Sequence, residues 1–282
     1  MDATRVTRAL LTSWPLPSAD DAHSKEDRGR VLVVGGSRQV PGAVTLAGEA
    51  ALRAGAGKLM VVTGGEAAAH LGVALPEAAV VGVPLDEAGE LRALDAAQVD
   101  LVRQAGVVLV GPGMATRASP VSAQVARAGV PVVADAGSLH ADALEPAAGR
   151  LVITPHIPEM ADLMGLRPKE VAGDCVGVAT AAAARFRAIV VLKGPTTWIA
   201  DPEGMLWKHV VDAPGLGTSG SGDVLAGVIA GFVARGATLP QAAVWGVAVH
   251  ARAGLMAGRQ IGRIGFLARE LLPRIPRVLA QW

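Results

Sequence analysis

Residues 215–231 read GLGTSGSGDVLAGVIAG. Glycines and small hydroxyl residues run up to Asp223, and an apolar run with helical spacing follows. A loop of this composition wraps its backbone N–H groups around an anion, and the helix behind it aims its positive end at the same point. Asp223 falls at the mouth of that site, where a carboxylate serves as a base or a metal ligand. The bland alternative is an acid that only complements the helix dipole, worth ~0.3–1 kcal/mol. Glycines on both sides of Ser221 favour the site. The stretch predicts a phosphate chain bound beside Asp223, with a substrate hydroxyl meeting it there.

Upstream, short apolar runs predict strands over 31–34, 58–63, 79–83, 106–110, 131–134, 151–153 and 189–192. Between them the spacing predicts helices over 42–54, 90–104, 120–128, 158–164 and 169–187, with a further one over 3–11. This alternation implies parallel strands buried on both faces, with helices on each side. In such sheets ligands gather beyond the carboxyl ends of the strands. Gly35, Gly111, Asp135, His156 and Lys193 all fall at such ends, and that shared address counts for more than any one of them. The pattern then changes: 197–200 and 205–211 flank the turn DPEG and read as a hairpin that extends the sheet edge antiparallel. Helices over 241–257 and 265–272 follow the glycine loop. One domain over 1–282 is the simplest reading, with 1–29 as a leader that is either solvated or folded over the site.

Composition narrows the function. The chain has 282 residues, of which 51% are hydrophobic and 18% charged, so it can bury a large core and is not disordered. Aromatics are only 3%, so Ala and Val must fill the interior, which predicts closely packed helices on a sheet. The net charge of +1 and the lack of a basic stripe give no sign of nucleic-acid binding. Cys175 is the only cysteine, which excludes an intrachain disulfide and fits a reducing compartment. No signal-peptide core or apolar span of about 20 residues is present, so a cytoplasmic location is expected. His23, His70, His140, His209 and His250 show no metal-ligand spacing and read as structural or surface groups.

Several stretches together resemble one family. GRVLVVGGSRQVPGAVTLAGEAALRAGAGKL, VLVGPGM, ITPHIPEMADLMG, VLKGPTTWIADPEG and GTSGSGDVLAGVIAG look like the ADP- or ATP-dependent NAD(P)H-hydrate dehydratases, over roughly residues 23 to 270. The resemblance implies a ribokinase-like three-layer α/β/α sandwich, with a mainly parallel central sheet and an antiparallel hairpin at its edge. It implies Mg²⁺, with ADP or ATP as co-substrate, and NADHX and NADPHX as substrates. It also implies a homo-oligomer, expected to be a tetramer. By motif, Asp223 is the base, and Gly220, Ser221 and Gly222 form the anion hole. Lys193, Gly194, Pro195, Thr196, Thr197 and Gly222 contact the nucleotide. Ala43, Gly113, His156 and Asp223 line the hydrate's pocket. The metal ligands stay open. Some positions depart from the pattern: Gly137 stands where a second acid is expected after Asp135, and Ala115 where a glycine often closes the turn. The Asn usual before the glycine loop is missing, and the lead-in reads HSKEDRG. Two alternatives therefore stand beside the dehydratase: a small-molecule kinase of the same fold, and a nucleotide-binding sensor without turnover.

Overall fold

Runs of Val, Leu and Ile such as VLVV, VVLV and AIVVL have no polar face, so both sides of these strands must be covered. The computed structural model, which describes residues 2–18, 24–115 and 119–282, covers them with helices on both sides of one sheet. The strands are β1 (Thr4–Arg5), β2 (Arg30–Val34), β3 (Lys58–Gly64), β4 (Ala78–Val83), β5 (Val107–Val110), β6 (Val132–Ala134), β7 (Leu151–Ile153), β8 (Ala188–Leu192), β9 (Thr196–Ala200) and β10 (Leu206–Val210). They lie in the order β1-β10-β9-β8-β7-β6-β5-β2-β3-β4. Only β9 is reversed; it pairs antiparallel with β8 and β10, and the other neighbours are parallel. The hairpin therefore extends the sheet beyond β8, and the two-residue β1 covers its outer edge.

β2 lies between β3 and β5, so the chain leaves it first in one direction and then in the other. Crevices form at such reversals, beyond the strand ends. Here the turns after β2 and β5 meet: Gly36 N–H donates to Pro112 O (2.8 Å) and Ser37 N–H to Gly113 O (3.0 Å).

One face of the sheet carries the helices Ala43–Arg53, Ser221–Ala234 and Leu239–Gln260. The other carries Pro120–Ala126, Ile157–Met164 and Cys175–Phe186. The expected small-residue packing is concrete. A Cβ on Gly227 would lie 2.2 Å from Ala47 O, and one on Gly231 would lie 2.6 Å from Ala51 O. Without side chains at those two positions, the helices Ala43–Arg53 and Ser221–Ala234 run side by side in the same direction, almost in backbone contact. Both N-termini thus emerge at the carboxyl edge of the sheet.

Several expected elements differ. The helix Gly65–Ala74 was not foreseen; its N-cap is Gly64, which makes no side-chain cap, so no start signal marks it. The helix expected over 90–104 shortens to Ala96–Arg103, because the Asp95 and Gln98 capping box starts it there. The helix expected over 169–187 divides into Pro168–Gly173 and Cys175–Phe186, with Asp174 capping the second by accepting from Gly177 N–H. The final helix lies at Ile275–Leu279, beyond Pro273, with Pro276 in its first turn where a missing N–H costs nothing. In place of a helix over 3–11 there are β1 and the helix Arg8–Ser13.

Residues 2–18 are neither a solvated leader nor a flap over the cleft. Trp14 stacks on Trp207 at 6.0 Å and its carbonyl accepts from Trp245 Nε1 at 2.7 Å. Pro17 O accepts from Arg235, just past the C-terminal end of the helix Ser221–Ala234 and so away from the glycine loop. His23 lies outside the described residues.

Candidate functional site

The helix Ser221–Ala234 starts from Gly220, whose φ of +86° places it in the left-handed region that favours glycine. Two early N–H groups are already used: Ser221 donates to Thr218 O at 3.2 Å and Val224 to Gly220 O at 3.1 Å. Among the described residues, Gly222 and Asp223 N–H have no such partner, and these two remain for an anion. Of the residues expected to form an anion hole, Gly220, Ser221 and Gly222, Ser221 has its N–H engaged, whereas the N–H groups of Gly222 and the neighbouring Asp223 have no partner among the described residues.

Lys193, at the end of β8, reaches the same spot. Its ammonium donates to Asp135 Oδ1 at 2.9 Å and lies 3.8 Å from Glu159 Oε2. A Cβ on Gly222 would sit 3.2 Å from Lys193 Nζ and 3.7 Å from Asp135 Oδ2, so the absence of a side chain leaves room between helix terminus and ammonium. Burial alone would lower the Lys193 pKa. The charges of Asp135, Glu159 and Asp223 and the hydrogen bond to Asp135 outweigh it, and the pKa is held above the usual lysine value. Asp135 is buried at the end of β6, and Thr154 Oγ1 donates to its Oδ1 at 2.7 Å.

Asp223 faces this cluster. Burial, reinforced by the charges of Asp135 and Glu159, pushes its carboxyl up to about 7 against the pull of Lys193. A carboxylate near neutrality is suited to accept a proton at physiological pH.

The remaining expected residues lie at or near the carboxyl ends of the strands. His156 ends the β7 turn and caps the helix Ile157–Met164: its Nδ1 accepts from Glu159 N–H at 3.0 Å, and Glu159 Oε2 accepts from His156 N–H at 2.7 Å. Its side chain is 52% exposed, which leaves Nε2 facing outward. Thr196 and Thr197 begin β9 directly after the Gly194 and Pro195 turn. Ala43 begins the helix Ala43–Arg53, and the Gly113 turn closes on it; a Cβ on Gly113 would lie 3.0 Å from Ala43 Cβ and 2.3 Å from Val40 O. Ala43 is thus buried beneath Gly113.

The two departures at 115 and 137 have separate local reasons. A Cβ at Gly137 would lie 2.3 Å from Met114 O, so the Met114 turn excludes the second acid. Ala115 keeps a negative φ, needs no glycine, and donates its N–H to the buried Glu90 carboxylate at 3.2 Å. Glu90, Thr154 and His250 were not marked as site-related by their sequence positions. Each acts through a partner distant in the chain, so no local signal marks it.

Among the described residues no group of three or more His, Cys, Asp or Glu is arranged to hold a metal ion. Asp135 Oδ1 is shared by Lys193 and Thr154, while Oδ2 faces Gly222. That donor set suits Mg²⁺ carried on phosphate oxygens and water, with one or two carboxylates, rather than an all-protein cage. Two cavities, of about 500 Å³ beside His140 and Leu166 and about 420 Å³ beside Arg187 and Glu203, lie away from these residues. No helix among the described residues is long and apolar enough to cross a membrane.

A mostly parallel sheet between helical layers, a hairpin extension and a glycine-flanked acid at a helix N-terminus define a protein of the ribokinase-like class. Residues 31–277 match the family model described as NAD(P)H-hydrate dehydratase. The chain is 47% identical over 281 residues to the ADP-dependent (S)-NAD(P)H-hydrate dehydratase of Xanthomonas campestris pv. campestris, covering 97% of this chain and 95% of that protein. It is 36% identical to the bifunctional NAD(P)H-hydrate repair enzyme of Moorella thermoacetica, covering 96% of this chain but spanning only 54% of that protein. The solved structure of the ADP/ATP-dependent NAD(P)H-hydrate dehydratase from Bacillus subtilis, co-crystallized with ATP/Mg²⁺, superposes with a TM-score of 0.83 at 27% identity, covering 100% of this chain and 99% of that one. The chain belongs to the NAD(P)H-hydrate dehydratase family.

Proposed function

We propose that the chain is an ADP-dependent (S)-NAD(P)H-hydrate dehydratase that returns NADHX and NADPHX to NADH and NADPH. The observation that carries this reading is the convergence of Asp223, poised at about 7, with Lys193 and the free N–H groups at the glycine-flanked helix terminus. Asp223 takes the proton of the C6 hydroxyl as its oxygen attacks the terminal phosphorus of ADP. The P–O bond to AMP breaks, and Lys193 with the Gly222 and Asp223 N–H groups offsets the charge in transfer. The ring nitrogen lone pair then expels phosphate, and loss of a proton from the adjacent carbon restores the dihydropyridine. Residues 193–197 hold the AMP portion, while Gly113 and the outward Nε2 of His156 face the nicotinamide. Asp135, whose Oδ2 faces Gly222, would hold Mg²⁺ carried on the nucleotide, and the ion would supply neutralisation of phosphate charge.

The test is incubation with Mg²⁺, ADP or ATP, and NADHX while NADH absorbance is followed. Nucleotide-dependent recovery with one AMP and one phosphate per NADH supports the reading. A stable phosphorylated alcohol from another substrate would replace it with a kinase, and tight nucleotide binding without turnover with a sensor.

A further inference from the structure

One buried titratable group has no part in the chemistry above. His250, on the helix Leu239–Gln260, is 8% exposed, and its Nε2 lies 3.0 Å from Ser221 Oγ. Ser221, 4% exposed, is the only residue of the turn 220–222 that has a side chain. Gly220 makes no side-chain cap. A turn flanked by glycines has wide backbone freedom, whereas an anion site built from N–H groups needs those groups held in advance. One turn further along the His250 helix, Gly254 makes room for Leu216; a Cβ there would lie 2.6 Å from the Leu216 side chain. The same helix therefore grips the glycine loop at two points, Leu216 and Ser221.

We propose that His250 is a positioning residue of the anion site: its hydrogen bond to Ser221 fixes the turn whose Gly222 and Asp223 N–H groups hold the terminal phosphoryl group of the nucleotide. This rests on the phosphoryl-transfer reading given above. A neutral imidazole suits the task. Burial pushes the His250 pKa down to about 4, with the charges of Lys193 and His209 acting in the same sense and a hydrogen bond with the Ser221 backbone opposing them. Its Nε2 meets the Ser221 hydroxyl, which can donate or accept, so a neutral ring makes this bond in either tautomer. An uncharged ring holds the turn without competing with Lys193 for the phosphate.

The experiment is a set of titrations of ADP·Mg²⁺ and of AMP into wild type, His250→Leu, His250→Gln, Ser221→Ala and the Ser221→Ala/His250→Gln pair, with NADH recovery on each. His250→Leu and Ser221→Ala should each weaken ADP about tenfold and lower kcat by a similar factor, the size of one lost hydrogen bond. AMP, which lacks the terminal phosphoryl group, should bind within about twofold of wild type. His250→Gln, which keeps a donor, should recover most of the loss, and in the Ser221→Ala background it should change nothing further. Unchanged ADP affinity and kcat in folded His250→Leu would overturn the inference. So would equal weakening of ADP and AMP, or additive effects in the pair. If His250→Leu does not fold, the Ser221→Ala and His250→Gln cycle decides alone. If wild type binds ADP no better than AMP, the turn holds no phosphoryl group and the inference falls. If wild type prefers ADP but recovers no NADH, the dehydratase reading fails while the ADP-to-AMP ratio still decides the role of His250.

Discussion

Asp223→Asn should make the protein inactive and more stable at once, and the gain should depend on pH. Burial and the neighbouring Asp135 lift the carboxyl from 3.8 to about 7, with Lys193 pulling it down and Glu159 adding to the lift. The fold thus favours the protonated form. The stability it confers is complete below the unfolded value of 3.8 and is lost as pH rises toward 7. At 1.36 kcal/mol per pH unit, the fold loses ~2 kcal/mol by pH 5, where only the unfolded chain ionises at this position, and at most ~4 kcal/mol by pH 8, since the residue is partly open to solvent. Asparagine is neutral throughout. The variant's advantage should therefore grow with pH, reaching a Tm rise of at most about 8–16 °C at pH 8, at ~2–4 °C per kcal/mol for a chain of this size. Turnover should fall at least ~100-fold for loss of a general base, while ADP affinity stays within about threefold. Differential scanning fluorimetry from pH 5 to 8 and the NADH recovery assay measure both. A Tm difference that does not widen with pH would refute the buried, repelled carboxylate. Near-normal turnover would remove Asp223 from its role as base.

Other substitutions probe the same structure at separate points. Lys193→Met removes the group that lowers the Asp223 pKa, so the acid limb of the kcat/KM profile should move to higher pH and ADP should bind at least about tenfold more weakly. His250, held at about 4 against 6.5, stabilises the fold fully above pH 6.5 and progressively less as pH falls toward 4. His250→Gln should flatten this acid slope, worth up to ~3 kcal/mol, in urea titrations across that range. Gly227→Ala should destabilise by about 2 kcal/mol or more in urea unfolding, because its Cβ meets Ala47 O at 2.2 Å, and should also lower kcat of the folded fraction, because the helix terminus facing Lys193 shifts with the helix. Gly137→Asp, which restores the acid the family pattern expects, should lower Tm and add no activity, because Met114 O occupies the position of its Cβ.

The parallel core was legible because its strands are apolar without alternation, and the hairpin because DPEG interrupts two short runs at the right spacing. Helix ends were less legible. Gly64 starts a helix without a polar cap, and Asp174 ends one helix while capping the next, so hydrophobic spacing alone joined or missed them. In the site, Lys193, Asp223 and His156 stood out because strand ends and glycine turns have local signatures. Asp135 was visible as a strand end, but its bond to Lys193 spans 58 residues. The His250 bond to Ser221 spans 29 residues and arises from helix packing, which leaves no mark in the spacing of either residue. The leader's fate depended on Trp14 reaching Trp207 and Trp245, contacts of the same kind.

Four of the six glycines of 215–231 divide into two sets with different physical purposes. Gly220 and Gly222 shape the turn: one accepts a left-handed φ with Leu46 2.6 Å from where a Cβ would lie, and the other clears the approach to Lys193. Gly227 and Gly231 leave space for another helix, since Ala47 O and Ala51 O occupy the positions their side chains would take. The second set makes the first effective. Close contact along the helix Ala43–Arg53 fixes the direction of the helix Ser221–Ala234, and with it the point at which its free N–H groups and dipole are aimed. If a side chain at 227 pushed the helices apart, the terminus would pivot away from Lys193 and Asp135, which are anchored to the sheet rather than to the helix. The alanine-rich composition and the proposed anion site are in this sense one feature: a helix can present a precise positive terminus to a phosphate only if something rigid lies along its length.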